Sequence, residues 1–470
     1  MMTEAAPITT RGDLAGRQVL VVGLARSGIA VARFAADAGA RVTVYDRRTA
    51  AELADAVTAL GDRRLRLALG VAPDAATALV NSAQLIVTSP SISTRFPTTE
   101  PWLREALGAA ESRGIPVVSE VDLFLRLTRA RVLGVTGTKG KTTTTALLGA
   151  MLTAGALPHE VGGNIGRPLV ELAEALGPDD WAVLELSELQ LPTISRGADL
   201  SVYTNILADH LDRHGSLEAY RAAKMRLAEL ARGPVVLNID DPVSRELGAR
   251  LAPGTARWYG LAEGEARLRD GTLLLADTAL LPVDAVPLPG AHMLRNVLAA
   301  ALGAHLAGVP HAAIADAIRS FPGVPHRLET LGSVGGVRYV NDSQATIPLA
   351  TLAALDAFGT APVVLIAGGR GKGLDYRQLA EAIVRSCRAA VLIGETAPEL
   401  ERLIAGRIPV ARAAAMSDAV ATARAAALPG DIVLLSPAAA SFDMFRDYAA
   451  RGDAFRVAVG DLAPTAGVEA

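Results

Sequence analysis

Arg131-Val-Leu-Gly-Val-Thr136 is followed directly by Gly137-Thr-Lys-Gly-Lys-Thr-Thr143 and then by a segment rich in alanine and leucine. The β-branched run predicts a buried strand, and the segment beyond the glycines predicts a helix. A glycine-rich turn between a strand and a helix lets backbone N–H groups approach phosphate oxygens, and the helix N-terminus adds partial positive charge. The stretch therefore predicts an ATP-binding loop in an α/β domain.

Two side chains of this loop are suited to binding the nucleotide and its cation. Lys141 can reach the β- and γ-phosphates, and the Thr142 hydroxyl can ligate Mg²⁺. The alternative is a tight turn with an exposed lysine, which the complete set of features in the right order disfavours. The spacing is one or two residues tighter than in the general P-loop form, which indicates a particular subset of ATP enzymes. The remaining residues of the predicted ATP loop are Gly137, Thr138, Lys139, Gly140 and Thr143.

The alternation of β-branched runs with helix-forming segments begins at three places in the 470 residues, near Gln18, Arg131 and Ala361. This alternation is typical of parallel sheets with crossover helices. Between Arg257 and Pro289, shorter runs predict a small group of strands inside the middle domain. We expect an α/β protein of three domains: a Rossmann-like N-terminal domain (1–118), a central P-loop ATPase-like domain (119–323) and a Rossmann-like C-terminal domain (324–470).

Composition excludes several classes of protein. The net charge of −3 gives no basic field that would attract nucleic acid. The single cysteine, Cys387, cannot form an intrachain disulfide and fits a reducing cytoplasm. The N-terminal stretch lacks the apolar core of a signal peptide, and no apolar run has the roughly 20 residues of a membrane span. We therefore expect a cytoplasmic protein with neither nucleic acid nor membrane as a partner. We also expect a monomer, although composition does not determine the oligomeric state.

A second glycine turn, Gly23-Leu-Ala-Arg-Ser-Gly28, follows the first predicted strand. Asp46 ends the next strand, where a ribose-binding acid is expected. Ala25 replaces the middle glycine, whose role is to let a pyrophosphate approach. The turn is compatible with an NAD site, with a site for another nucleotide diphosphate, or with close packing of helix on strand. Because a separate ATP loop is present, a nucleotide-bearing substrate is favoured over NAD.

Polar side chains also mark the predicted central strands. Glu185 lies in the buried run 181–187, where a carboxylate is costly unless it is paired or binds a metal. His210 follows the next strand, in the string Ala-Asp-His-Leu-Asp. Glu185 and His210 near an ATP loop therefore predict a Mg²⁺ site. Lys224 lies on the following helix, where spacing alone predicts a solvated charge.

Four polar loops follow turns or strands of the third domain, at residues 323–329, 339–346, 368–373 and 433–441. Each is ordinarily only a loop, but four of them in one domain favour a binding face. Gly368-Gly-Arg-Gly-Lys-Gly373 is a second anion-friendly glycine loop, in which Lys372 could meet a carboxylate or a phosphate.

Together, these strings resemble the Mur ligase family over residues 17 to 457 or so. The resemblance implies an ATP- and Mg²⁺-dependent ligase that adds D-glutamate to UDP-N-acetylmuramoyl-L-alanine through an acyl phosphate, in peptidoglycan precursor synthesis. The strings are the ATP loop, L-E-L-S-x-L-Q-L from Leu184, D-H-L-D from Asp209, Y-R-A-A-K from Tyr220, G-V-P-H-R-L-E from Gly323, N-D-S-x-A-T from Asn341, G-G-R-G-K from Gly368 and S-P-A-A-A-S-F-D from Ser436.

The resemblance also implies roles for individual residues. Lys224 matches a lysine that is carbamylated in the family, and there it supports the metal site beside Thr142, Glu185 and His210. With Lys141, these residues would carry the catalysis. Further ATP contacts would be Asn296, Arg327 and Asp342. The incoming glutamate would meet Thr346, Lys372, Ser441 and Tyr448. The uridine diphosphate would meet Arg26, Ser27, Asp46, Arg47 and Arg48, and the muramoyl part Asn164, Ser187 and Gln190.

The chain departs from the family strings at several positions, and these departures concern substrate selectivity more than ATP. Gln344 lacks the positive charge of a lysine found there in some members. The other departures are Ser91, Glu188, Leu189, Met293 and Tyr448. A related ligase that adds L-glutamate or another amino acid is the alternative. A folylpolyglutamate-type enzyme is disfavoured by the first domain, a nicotinamide oxidoreductase by Ala25, and a simple P-loop switch by the third-domain loops.

Overall fold

The computed structural model describes residues 8–164, 167–207, 214–288, 290–371 and 373–462. Two compact units make up this part of the chain: one includes the chain up to Pro287 and Ala291–Phe321, and the other the chain from Pro322 onward. Their sheets are mainly parallel and are connected through helices, so the predicted three-part α/β fold is confirmed. The exact domain bounds at 118/119 and 323/324 stay a prediction.

The first sheet is parallel throughout its described strands, which are β1 (Gln18–Val22), β2 (Arg41–Asp46), β3 (Arg66–Leu69), β4 (Leu85–Thr88) and β5 (Val117–Ser119). Their order is β3-β2-β1-β4-β5, so the chain changes direction across the sheet beside β1. Such a switch point leaves a crevice at the carboxyl ends of the strands. The helices are α1 (Arg26–Asp37), α2 (Ala54–Ala59), α3 (Pro73–Ser82), α4 (Pro101–Ser112) and α5 (Glu120–Leu127).

The second sheet contains β6 (Arg131–Thr136), β7 (His159–Gly163), β8 (Trp181–Glu185), β9 (Leu200–Tyr203), β10 (Val235–Asn238), β11 (Ala256–Tyr259), β12 (Ala266–Arg269), β13 (Thr272–Leu275) and β14 (Thr278–Pro282). Within the described residues their order is β14-β13-β12-β11-β10-β9-β6-β8-β7, and only the pairs β12/β13 and β13/β14 are antiparallel. The predicted small group of strands after Arg257 is thus confirmed. The helices are α6 (Lys141–Ala154), α7 (Leu217–Glu229), α8 (Pro242–Arg250), α9 (Ala291–Ala307) and α10 (His311–Ser320).

The third sheet lies in the second unit and contains β15 (Glu329–Val334), β16 (Val337–Asn341), β17 (Val363–Gly368), β18 (Cys387–Ile393), β19 (Val410–Arg412) and β20 (Ile432–Leu435). In the described chain its order is β15-β16-β20-β17-β18-β19, with β15 antiparallel to β16. The loops after β16, β20 and β17 are therefore neighbours at one edge. The helices are α11 (Pro348–Ala357), α12 (Arg377–Ser386), α13 (Ala397–Ile404), α14 (Met416–Ala426) and α15 (Tyr448–Gly460).

Buried aliphatic side chains of the strands form the cores. In β8 and β9 every residue is buried, as expected for central parallel strands covered on both faces. Among the helices that the structure describes, none is both long and apolar enough to cross a membrane.

Candidate active site

The glycine loop connects β6, which lies between β8 and β9, to the N-terminus of α6. Gly137 has φ +144° and Gly140, the N-cap of α6, has φ +89°. A Cβ on Gly137 would lie 1.9 Å from Thr204 Oγ1, and one on Gly140 would lie 2.3 Å from Asn296 Oδ1. Both the backbone conformation and the available space therefore require glycine, as a phosphate cradle does.

Residues 204–207, which follow β9, hold this loop in place. Thr138 N donates to Asn205 O at 2.8 Å, and Lys139 N donates to Asn205 Oδ1 at 3.0 Å. Thr204 Oγ1 donates to Lys139 O at 2.6 Å. β9 ends at Tyr203, and the backbone beyond it bonds to the ATP loop instead of continuing the sheet.

Two lysines converge on one carbonyl oxygen of the loop. Lys141 Nζ donates to Gly137 O and to Thr138 O, each at 3.0 Å. Lys224 Nζ donates to the same Gly137 O at 2.8 Å. Two cationic side chains and a helix N-terminus at one point make a site suited to a polyanion.

The prediction from spacing that Lys224 is a solvated charge is wrong. Its side chain is completely buried, and Glu188 Oε2 lies 3.6 Å from its Nζ. Burial and the nearby charge of Lys141 lower the pKa of Lys224 to about 7, although Glu188 opposes this shift. An amine with such a pKa is partly unprotonated near neutral pH. Tyr220, one helical turn earlier and also buried, was the signal in the sequence that this face of α7 points inward.

Glu185 ends β8 beside the ATP loop and is almost completely buried. Its Oε1 accepts a hydrogen bond from Asn164 Nδ2 at 2.8 Å. Its Oε2 has no hydrogen-bond partner among the described residues. An unpaired buried carboxylate oxygen is costly unless a cation or water satisfies it, so Glu185 fits the predicted Mg²⁺ site.

His210, the second predicted metal ligand, lies outside the described residues. Within the residues described, His, Cys, Asp and Glu side chains form no group of three that could hold a metal ion. Thr142 lies in the first turn of α6, next to Lys141.

Ser187 and Gln190 form one hydrogen-bonded unit. Gln190 Oε1 accepts from Ser187 N at 2.9 Å and from Ser187 Oγ at 3.0 Å. Glu188, the residue after Ser187, contacts Lys224, a role that its departure from the family string does not reveal. Asn296 is buried against the ATP loop, and its Nδ2 lies 3.7 Å from Met293 Sδ.

The glycine turn after β1 is shaped by close packing and by Asp46. A Cβ on Gly28 would lie 1.9 Å from Gly23 O, which supports the close-packing interpretation. Asp46 accepts from Leu24 N at 2.8 Å and from the Arg48 guanidinium at 2.8 and 3.0 Å. Burial tends to raise the pKa of Asp46, but these hydrogen bonds outweigh it and lower the pKa to about 2.

Other residues predicted to meet the UDP part lie around this turn. Arg26 begins α1, and its Nη2 donates to Asn164 O at 3.2 Å, so the turn is connected to the residue that holds Glu185. Ser27 is in the first turn of the same helix. Arg47 is largely exposed, with Glu100 Oε1 3.3 Å from its Nη1.

In the second unit, Asp342 follows β16 and is buried. It accepts from Ser436 Oγ at 2.8 Å and from Leu328 N at 3.2 Å. Burial raises the pKa of Asp342 to about 6, and the neighbouring charge of Arg327 acts in the opposite direction. The structure thus brings together Arg327 and Asp342, two of the predicted ATP contacts.

Three of the four predicted glutamate contacts lie in the same unit. Thr346 follows the N-D-S string, Ser441 is buried after β20, and Tyr448 begins α15 with 40% of its surface exposed. The fourth, Lys372, lies outside the described residues. Arg370 and Ala440 exchange backbone hydrogen bonds of 2.8 and 3.2 Å, so the glycine loop after β17 is attached to the loop that carries Ser441.

Three family models match consecutive parts of the chain. They are the Mur ligase MurD-like N-terminal domain at residues 17–119, the Mur ligase middle domain at 135–304, and the Mur ligase glutamate ligase domain at 326–439.

Curated relatives match almost the full length. An enzyme from Solibacter usitatus is 40% identical over 96% of this chain and 99% of its own, and one from Acidobacterium capsulatum is 39% identical over 94% and 96%. Both are named UDP-N-acetylmuramoylalanine–D-glutamate ligase. Among solved structures, UDP-N-acetylmuramate-alanine ligase from Thermotoga maritima has a similar fold, with a TM-score of 0.57 at 18% identity over 95% of this chain and 100% of that one.

Proposed function

The chain belongs to the Mur ligase family of ATP-dependent, amide-bond-forming ligases, as its motifs predict, and on that premise we propose that it adds D-glutamate to UDP-N-acetylmuramoyl-L-alanine. The relatives of about 40% identity that carry this name span nearly the whole chain, and this supports the choice of substrates. In this reaction ATP phosphorylates the alanyl carboxylate, and the amine of glutamate then displaces the phosphate.

One observation carries the proposal: the glycine loop, two lysines and an unsatisfied carboxylate meet at the end of β6. Lys141 and Lys224 both reach Gly137 O, and Glu185 ends the adjacent strand β8. A carboxylate becomes a good electrophile only after phosphoryl transfer, which requires charge to be stabilised on the phosphates. Lys141 and the N-terminus of α6 supply positive charge for this purpose.

For the cation, we propose Mg²⁺ held by Thr142, Glu185 and His210. The unpaired Oε2 of Glu185 supports this assignment. Lys224 is proposed to take part as a carbamate, because a buried amine with a pKa of about 7 has the neutral form that reacts with CO₂. Asn296 next to the loop, and Arg327 with Asp342 in the second unit, are proposed to bind ATP.

The other substrates are assigned to two groups of residues. UDP-N-acetylmuramoyl-L-alanine would bind at the carboxyl edge of the first sheet, through Arg26, Ser27, Asp46, Arg47 and Arg48, and beside Asn164, Ser187 and Gln190. The hydrogen bond from Arg26 to Asn164 supports a continuous site. Glutamate would bind through Thr346, Lys372, Ser441 and Tyr448. We also propose three domains (1–118, 119–323 and 324–470) and a monomer that works in the cytoplasm.

The deciding experiment is phosphate release from ATP with UDP-N-acetylmuramoyl-L-alanine and a panel of amino acids. We expect release with D-glutamate and little with L-glutamate or D-aspartate. Reactions without amino acid or without the UDP-substrate serve as controls. Release with L-glutamate alone would favour the alternative ligase, and release that ignores both isomers of glutamate would reject the proposed reaction.

A further inference from the structure

Arg451 lies on the first turns of α15 and is completely buried in the second unit. Its guanidinium donates to neutral oxygens on two separate loops. Nε donates to Ser343 Oγ at 3.0 Å and Nη2 to Ser343 O at 2.9 Å. Nη1 donates to Ala439 O at 3.1 Å and to Ala440 O at 3.2 Å.

Each of these loops carries a residue proposed to bind glutamate. Ser343 lies three residues before Thr346, and Ala440 directly precedes Ser441. Ser343 Oγ in turn donates to Tyr448 O at 2.7 Å, which fixes the start of α15. Through Ala440, the same set of bonds reaches Arg370 in the glycine loop after β17.

We infer that Arg451 is a positioning residue that fixes the glutamate-binding loops relative to one another. Arginine suits this task because its planar, rigid fork can hold acceptors on different segments at once, whereas a lysine ammonium lacks this fixed geometry. Burying a guanidinium is costly, which shows that the hydrogen bonds to the loops compensate for lost solvation. The inference rests on the proposed role of Thr346, Ser441 and Tyr448 in binding glutamate.

The first test compares Arg451→Lys with the wild type in steady-state kinetics. Lysine keeps the charge but loses the fork, so we expect the KM for D-glutamate to rise about tenfold or more, while the KM for the UDP-substrate changes less than about twofold. Ser343→Ala, which removes one acceptor and leaves Arg451 in place, should give a smaller change in the same direction. It keeps the test valid if Arg451→Lys folds poorly.

Arg388→Lys is the matched control. Arg388 pairs with Asp431, which is buried just before β20, so this pair lies at the amino end of the strand, opposite the loops. Its replacement should lower stability without changing the KM for D-glutamate. A purely structural role of Arg451 would give the same pattern as Arg388, and that result would overturn the inference.

Hydrogen exchange separates this inference from the proposed reaction, because it needs no substrate. In Arg451→Lys, amides of residues 342–346 and 438–441 should exchange faster than in the wild type, whereas those of the β17 and β18 strands should not. Unchanged exchange in both loops would overturn the positioning role whatever the amino-acid substrate. If both loops exchange faster in Arg451→Lys but the wild-type enzyme does not use D-glutamate, the proposed reaction is rejected and the positioning role stands.

Discussion

At the scale of single residues, Glu188 is a departure from the family strings that lies beside Lys224, a residue that matches them. Glu188 Oε2 lies 3.6 Å from Lys224 Nζ, and Glu188 raises the pKa of a lysine that burial and Lys141 lower. A carboxylate at this distance stabilises the ammonium form. It would also repel the anion that forms if Lys224 is carbamylated.

We therefore expect Glu188→Ser to increase the carbamylated fraction of Lys224. Like charges about 4 Å apart repel by about 4 kcal/mol at an effective dielectric constant near 20. Even a quarter of this energy, about 1 kcal/mol, corresponds to a change of about fivefold in the ratio of carbamylated to free Lys224. The measurement is the ¹³C NMR carbamate signal of enzyme equilibrated with ¹³C-bicarbonate. Lys224→Met should abolish the signal, and Glu229→Ser, on the exposed end of α7, should leave it unchanged. A weaker signal in Glu188→Ser would show that Glu188 supports the carbamate instead.

The sequence predicts the role of a residue well when its neighbours in the chain determine its environment. Gly137 and Gly140 are examples, because a strand before and a helix after them define the loop. It fails for residues whose environment comes from distant segments. Lys224 meets Gly137, 87 residues away, and Arg451 meets Ser343, 108 residues away. The local sequence around Lys224 and Arg451 does not indicate which distant segment either side chain meets.

At the scale of elements, the same limit applies to the start of α5. Ser119 caps this helix, and Glu120 in its first turn has the pattern of an exposed acid that interacts with the helix dipole. In the structure Glu120 is buried and accepts from Val170 N at 3.0 Å, so it connects α5 to the segment 169–172. The bounds of β6, in contrast, follow from its own residues: the strand begins at Arg131 and ends at Thr136, as the β-branched run predicts.

Glu120 should make stability depend on pH. Burial raises its pKa from 4.5 to about 7, against opposing backbone hydrogen bonds. Between the unfolded-state pKa of 4.5 and the folded-state pKa of about 7, the folded protein therefore keeps a proton that the unfolded chain has released. The free energy of unfolding falls as the pH rises through this range. We expect Glu120→Gln to gain about 2 kcal/mol over the wild type between pH 5 and pH 8, measured by urea unfolding. Glu174→Gln, at an exposed position that is not among the groups shifting the pKa of Glu120, should show no such trend. If the stability of Glu120→Gln and of the wild type changed with pH in parallel, Glu120 would have an ordinary pKa, and the prediction would be wrong.

At the scale of the whole molecule, the division into two compact units predicts more than one unfolding transition. The boundary lies at Phe321, within two residues of the 323/324 boundary predicted from the sequence for the third domain. The first two predicted domains, in contrast, lie together in one unit. Hydrogen bonds such as Arg26 to Asn164 and Arg11 to Glu174 cross the proposed boundary between them. Separate sheets in one chain therefore need not be separate folding units.

All three tryptophans of the chain, Trp102, Trp181 and Trp258, belong to the first unit, so tryptophan fluorescence reports the unfolding of this unit alone. The residues proposed to bind UDP-N-acetylmuramoyl-L-alanine belong to it as well.

A ligand that binds only the folded state at about 100 times its Kd adds about 2.7 kcal/mol of stability. The UDP-substrate should therefore raise the urea midpoint seen by fluorescence, while hydrogen exchange in the β17 and β18 strands keeps its own midpoint. UDP-N-acetylglucosamine, which lacks the lactyl-alanine part, is the control for the nucleotide sugar alone and should give a smaller shift. If both midpoints rise together, the two units unfold as one, because a ligand bound to one unit can stabilise the other only through cooperative unfolding.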